Sequence, residues 1–275
     1  MEAINEWLEE IDCEGQLEAM SVKESEVKYY RLKSSMHSGV VLDFSQKEEA
    51  FKPFLKLNLP LYEAGVTVPK IFTYNREEFF VFMEDLGSTH LCDVNSSDVE
   101  LFYDKAIDSI VKIQNTETEE LALYDEVALK QDIKLTDNEP AIDFIISKLL
   151  SQPQDVFVHG DYQAKNLMFN CNDSIVVTEY YNAKIGAITY DLASLLCDGN
   201  LAFSSKEIES LALSFKDKKG VDSDNKTFLE WFHFSIMHRC LTLMNKEKMN
   251  INYLIEITSL YPETFSLSKV LKSMN

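Results

Sequence analysis

Positive charge is scarce in this chain: 26 Lys and Arg stand against 46 Asp and Glu in 275 residues, a formal net charge of −20. Sequence-independent binding of DNA or RNA relies on Lys and Arg neutralising phosphates, so the lack of any dense basic patch argues against nucleic acid as a partner. Paired cysteines are also missing. Cys13, Cys92, Cys171, Cys197 and Cys240 are odd in number and scattered, with no C-x-x-C pair and no His at metal spacing, and they read as reduced thiols. No apolar run approaches the length that crosses a bilayer. The acidic, amphipathic stretch Met1 to Glu10 has the character of neither a signal nor a transit peptide. The expectation is a cytoplasmic protein without a membrane partner. Repeats and low-complexity segments are absent as well. What remains is 45% hydrophobic and 11% aromatic, ample for a core and incompatible with a disordered acidic tail.

Apolar spacing divides the chain into two parts. Ile4, Leu8 and Ile11, with Trp7 beside them, recur at helical spacing and predict a short opening helix over 2–12. Val27 to Lys33 and Val40 to Phe44 read as a hairpin around Met36-His37-Ser38-Gly39. From Lys47 to Ala64 the spacing returns to three and four, with Pro53 and Pro60 restricting regular helix and Gly65 ending the element. Lys70 to Tyr74 and Phe79 to Met83 form two further strand candidates around an Asn75-Arg76-Glu77 turn. Beyond Glu84-Asp85-Leu86-Gly87 the pattern is helical, over 101–113 and roughly 138–151, 189–198, 205–217, 225–244, 250–260 and 266–273. One β-like interruption covers 156–178. The fold class is α+β: a small, mostly antiparallel sheet with one inserted helix, followed by a helical lobe. The junction between two such lobes is a default place for a ligand.

The interruption carries the chemistry. Val156-Phe157-Val158-His159-Gly160-Asp161 is an apolar strand delivering a carboxylate, and Asn166 follows five residues later before a second apolar strand. Phosphoryl transfer uses a carboxylate to orient and deprotonate the attacking hydroxyl and oxygen ligands for magnesium on the phosphates. Asp161 and Asn166 have the types and spacing for those tasks. Ile175-Val176-Val177-Thr178-Glu179 then places a second carboxylate at the end of the returning strand, a candidate for the other metal ligand. His-Gly-Asp by itself is also an ordinary strand-ending turn; the joint pattern with Asn166, Glu179 and Tyr190-Asp191-Leu192-Ala193 is far more specific.

His159-Gly160-Asp161-x4-Asn166 resembles the catalytic loop of the aminoglycoside phosphotransferase and choline kinase superfamily, small-molecule relatives of protein kinases. Tyr190 to Leu196, Met83 to Gly87 and Gly65-Val66-x-Val68-Pro69 are together similar to the bacterial branch that phosphorylates N-acetylmuramic acid and N-acetylglucosamine at the anomeric hydroxyl. More loosely, the likeness runs from Trp7 to the helices around Met237-His238-Arg239 and Tyr253. It implies a two-lobed protein-kinase-like fold, with an N-lobe over 1–87 ending in a hinge at 84–87. The C-lobe over 88–275 would hold the catalytic loop, 159–166, and the metal-binding segment, 175–183. It further implies Asp161 as catalytic base, Asn166 and Glu179 as Mg2+ ligands, and Asp191 as a structural anchor of the loop. Main-chain groups at Glu84, Asp85 and Leu86 would hold adenine. His159 would be a structural donor within the loop. ATP and a small-molecule hydroxyl acceptor, an amino sugar of cell-wall recycling, are the implied partners.

Three positions depart from the family pattern. Glu179-Tyr180-Tyr181-Asn182-Ala183 stands where the family has a sequence like Asp-Phe-Gln-Asp-Ala, so the carboxylate is longer by a methylene and a second acid is replaced by Asn182. Leu42 holds the strand position of the phosphate-binding Lys, leaving Arg31 or Lys33 on the preceding strand as the substitute nucleotide cation. The 124–143 segment is shorter and more polar. These departures keep open a catalytically degenerate pseudokinase that binds a nucleotide, sugar or protein. The −20 charge keeps open an aminoglycoside-like or choline-like cationic acceptor. Lys165 reads as a sugar or phosphate contact or a solvated loop lysine. Tyr180 and Tyr181 read as packing or sugar-stacking rings, and Trp231, Phe232 and Phe234 as core.

Overall fold

Ile4, Trp7 and Leu8 fall on one face of helix α1 (Glu2–Glu10) and are buried there. They pack on Leu32, Val41, Phe80 and Phe82, with the Trp7 and Phe80 rings 5.8 Å apart. The sheet beneath is five-stranded and antiparallel: β1 (Gln16–Met20), β2 (Lys28–Lys33), β3 (Ser38–Asp43), β4 (Ile71–Asn75) and β5 (Phe80–Met83), in the order β1-β2-β3-β5-β4. Because side chains alternate along a strand, Val41 faces α1 while Leu42 and its cross-strand neighbours Tyr29 and Val81 take the opposite face. Arg31, opposite Val40, shares that second face. These coordinates are a computed structural model that describes residues 1–20, 25–34, 38–94, 98–118, 121–133, 138–170, 172–197, 203–244 and 249–274. Met36, His37, Glu119, Glu120 and Cys171 lie outside the described residues. Ser38 and Gly39, read from sequence as turn, begin β3. A Cβ on Gly39 would come within 2.4 Å of the Phe82 ring, so only glycine fits there.

Helix α2 (Glu48–Glu63) runs without a break through Pro53 and Pro60, contrary to the restriction expected of them. Each ring removes one helical hydrogen bond, and the burial of Ala50, Phe51, Phe54, Leu57 and Leu61 along one face offsets that loss. The helix stops at Gly65, whose φ of +79° belongs to the left-handed region that glycine enters without steric cost.

In chain order there follow α3 (Val99–Ile113), α4 (Glu126–Asp132), α5 (Glu139–Leu149), β6 (Val156–Val158), β7 (Leu167–Phe169), β8 (Ile175–Val177) and β9 (Lys184–Gly186). Five helices close the chain: α6 (Tyr190–Leu196), α7 (Ser205–Lys219), α8 (Asn225–Leu243), α9 (Ile251–Leu260) and α10 (Phe265–Met274). All the helices expected from spacing are present; β1, α4 and β9 were not anticipated. Short β9 exists through its antiparallel pairing with β6. Phe232, Phe234, Met237, Cys240 and Leu241 bury α8 on all sides, while Trp231 is only partly covered.

The chain packs as two units, 1–89 with 168–182, and 90–167 with 183–275. This grouping puts the 84–87 segment and residues 168–182 with the sheet. The paired strands β7 and β8 and the residues after them are held by the first unit. Tyr180 stacks on Phe54 at 4.8 Å, the Asn58 amide donates to the Tyr180 hydroxyl at 2.7 Å, and the Val177 N–H donates to the Thr67 carbonyl at 2.9 Å. Cys13, Cys92, Cys197 and Cys240 are free thiols. Among the described residues no helix is long and apolar enough to cross a membrane.

Candidate active site

In the second unit, β6 ends at Val158 just before His159, and Gly160 turns the chain with φ +86°, a conformation that a side chain would strain. Asp191, in the first turn of α6, fixes this turn from below. Its carboxylate accepts the His159 N–H at 2.7 Å and the Gly160 N–H at 3.1 Å. Burial pushes the Asp191 carboxyl up to about 7, against the pull of those two amides and of Arg239. Asp191 thus binds two successive main-chain amides of the turn. His159 also takes part in the loop. Its Nδ1 accepts the Asp161 N–H at 3.2 Å, which places the proton of the neutral ring on Nε2.

Asp161 is held from three directions. Gln163 Nε2 donates to Oδ1 at 3.0 Å, Arg239 Nη2 donates to the same oxygen, and Asn166 Nδ2 donates to Oδ2 at 2.8 Å and to the Asp161 carbonyl at 2.9 Å. A carboxylate oxygen accepts about two hydrogen bonds. These donors occupy Oδ1 twice and fix the plane of the carboxylate. Burial works to raise the Asp161 pKa, but the Arg239 charge, aided by Lys165, outweighs it and holds the carboxyl below its ordinary value. The group is an oriented anion at neutral pH. Arg239 and Gln163 were not assigned this task from sequence.

A third buried cluster stands behind Arg239 on α8. The Tyr124 hydroxyl bonds Asp132 and lies 2.8 Å from the Tyr190 hydroxyl. His238 Nε2 lies 3.0 Å from the Leu129 carbonyl and burial lowers its pKa to about 4. A histidine whose folded pKa lies below its unfolded value binds fewer protons when native, so stability falls as pH drops through the window from about 6.5 to 4. Replacing His238→Gln keeps a donor toward Leu129 and removes the titration. Its urea-unfolding free energy is expected to lose about 2 kcal/mol less than the native chain's between pH 7.5 and pH 5. Equal losses in the two proteins would contradict the neutral buried state.

The remaining candidates belong to the first unit. Arg31 Nε donates to Asp85 Oδ2 at 2.7 Å, and its Nη2 reaches Asp85 Oδ1 at 3.0 Å and the Gly87 carbonyl at 2.7 Å. This fork ties the 84–87 segment to β2 and engages the guanidinium in an ion pair with Asp85. Lys33 pairs with Glu18 at 2.5 Å. The Glu84 N–H donates to the Lys70 carbonyl at 2.9 Å, and Leu86 follows Asp85 along the clamped segment. Leu42, on β3, is buried.

Glu179 takes φ +60°, a left-handed conformation uncommon for a residue with a side chain. It is partly buried; burial pushes its carboxyl up to about 7, opposed by a hydrogen bond from the Tyr181 hydroxyl. Tyr180 is fully buried against Phe54, and Tyr181 sits edge-on to Phe44 at 6.1 Å, so both rings pack inside the unit. The candidate metal donors, a carboxylate on Glu179 and an amide on Asn166, are hard oxygen ligands of the kind magnesium takes. Among the described residues no three His, Cys, Asp or Glu side chains converge on a metal-sized site. Magnesium beside phosphates needs no such cage, since it takes one or two protein ligands together with phosphate and water oxygens.

The profile of the phosphotransferase enzyme family (APH) matches residues 23–225. Two curated relatives, from Pseudomonas putida and Pseudomonas aeruginosa, are named N-acetylmuramate/N-acetylglucosamine kinase. The first is 29% identical over 71% of this chain and 63% of its own length, the second 26% identical over 66% and 60%. This chain thus spans about three fifths of the length of those relatives. The choline kinase of Streptococcus pneumoniae has the same fold, with a TM-score of 0.65 at 15% identity over 99% of this chain and 98% of that one. With the family profile covering most of the sequence, the chain belongs to the phosphotransferase enzyme family.

Proposed function

We propose that the protein transfers the γ-phosphoryl group of ATP to a hydroxyl of an amino sugar of the N-acetylmuramate or N-acetylglucosamine kind. The observation that carries this reading is the Asp161 carboxylate, fixed by Arg239, Gln163 and Asn166. A sugar hydroxyl donating to Oδ2 is oriented for attack. As the new P–O bond forms, its proton passes to Asp161, and the bond to the β-phosphate oxygen breaks with its electron pair leaving on ADP. Asn166 and Glu179 would hold magnesium, which when bound neutralises phosphate charge. The main chain at Glu84, Asp85 and Leu86 would hold adenine, on a segment that Arg31 makes rigid. The names of the curated relatives support the acceptor class.

A specific observation favours a second reading, a degenerate kinase that binds ligand without turnover. Glu179 is strained in φ, capped by Tyr181 and pushed up to about 7, and Leu42 offers no charge. A coupled ADP-release assay with magnesium, ATP and each N-acetylated sugar decides between the two. Turnover well above the sugar-free rate is the expected result. Glu179→Asp, which shortens the side chain and is better tolerated in the left-handed region, should preserve or raise it. Silence of both proteins with every sugar, joined to a magnesium-dependent thermal shift by ATP, would establish the binding module. A site at 100 times Kd raises stability by about 2.7 kcal/mol.

A further inference from the structure

We infer that Asp132, Tyr124 and Tyr190 form a directed hydrogen-bond relay that positions Arg239, and that Tyr190 is thereby a positioning residue for the phosphoryl transfer proposed above, the reading on which this inference rests. Tyr124 and Asp132 flank and end α4, Tyr190 opens α6 and Arg239 lies on α8, all within the second unit. The direction of the relay follows from its far end. A carboxylate accepts and does not donate at neutral pH, so the Tyr124 hydroxyl gives its proton to Asp132. The Tyr190 hydroxyl, 2.8 Å away, is then the donor to Tyr124. With that proton committed, the Tyr190 oxygen has only lone pairs to offer. The Arg239 charge acts on it there, opposing the rise that burial imposes on the Tyr190 hydroxyl, which is pushed up to about 12.

Arg239 has a place for such a neighbour. Among the described residues it reaches Asp161 through Nη2 only, a single contact about which the guanidinium plane can pivot, where a fork would hold the plane at two points. Its Nε is buried and meets no acceptor among the described residues. The negative end of the Tyr190 hydroxyl supplies a second electrostatic tether, and members of a buried hydrogen-bonded chain strengthen one another. Ring packing keeps the relay from swinging. Tyr124 and Tyr190 meet edge to face at 4.8 Å, His238 packs on them at 6.3 and 5.8 Å, and Lys184 Nζ stands 4.1 Å from the Tyr124 ring centre.

The chain has three arginines, Arg31, Arg76 and Arg239, so a proton–nitrogen correlation spectrum of the full chain has few Nε–H signals, and Arg239→Met identifies the one at issue. In Tyr190→Phe that signal is expected to shift and its proton to exchange with water at least about tenfold faster. Asp132→Asn, two links away, should move it in the same direction. Tyr253→Phe, which removes a buried hydroxyl outside the relay, should leave it in place. In the ADP-release assay Tyr190→Phe should lower kcat by about tenfold or more while KM for ATP and for the sugar changes by less than about twofold, a split that lost stability alone does not produce. Should Tyr190→Phe fail to fold, Tyr124→Phe breaks the same relay one link further out and gives the same readings. An Arg239 signal indifferent to Tyr190→Phe and Asp132→Asn overturns the relay; a moved signal with kcat unchanged overturns the positioning role. If the native chain turns over no sugar, the proposed function fails and the positioning role with it, while the Nε–H comparison still decides the relay.

Discussion

Asp161→Asn is expected to lower kcat by about 10³-fold or more while the magnesium-dependent thermal shift given by ATP persists. The amide retains an oxygen near the Oδ2 position but takes no proton at neutral pH, and general-base assistance is worth about 10²–10⁴ in rate. It also leaves the buried Arg239 facing a neutral group, so stability falls at the same time. Nucleotide binding separates the two effects. A variant that binds ATP as the native chain does, melts cooperatively and turns over slowly has lost the base. One that retains turnover within tenfold shows that Asp161 acts only as a structural partner of Arg239, and the proposed mechanism then fails. Because the interaction matters most in the transition state, the KM for the sugar should change far less than kcat.

Much of this arrangement was legible in the sequence, for reasons that differ by element. Long helices such as α3, α7 and α8 repeat their apolar spacing over several turns, and strands β2, β3 and β5 are rich in β-branched and aromatic residues, so local pattern alone marks them. Strand β1 reads Gln16-Leu17-Glu18-Ala19-Met20, a half-exposed edge with residues that strands disfavour; it exists through pairing with β2. Helix α4 is seven residues long, too short to display a period. The His-Gly-Asp loop and its Asn166 were legible because their spacing is local. Arg239 lies 78 positions from Asp161, and no local rule pairs them. A signal was nonetheless present. Ser235, His238, Arg239 and Thr242 recur at three and four along the buried stretch of α8, and polar residues at that spacing in a buried helix require partners.

The Arg239 pairing yields the other large effect. Arg239 is 7% exposed and its guanidinium meets Asp161 with Tyr190 and Asp191 close by. Taking away one member of a buried ion pair leaves the other charge uncompensated, at about 3–5 kcal/mol. Asp161 keeps partial access to water, as its 31% side-chain exposure indicates, so Arg239→Met is expected near the lower end, about 3 kcal/mol by urea unfolding. Turnover should fall as well, because Oδ1 loses one of the two donors that set the plane of the carboxylate. The double variant Arg239→Met/Asp161→Asn removes both charges together and should unfold more easily than the native chain by less than the sum of the single effects. A coupling of about 1 kcal/mol or more in that cycle is the expected outcome. Strict additivity, or a cost below about 0.5 kcal/mol for Arg239→Met, would mean that water already screens the pair. The carboxylate would then owe its orientation to Asn166 and Gln163, and an Asn166→Ala/Gln163→Ala protein would lose turnover where Arg239→Met does not.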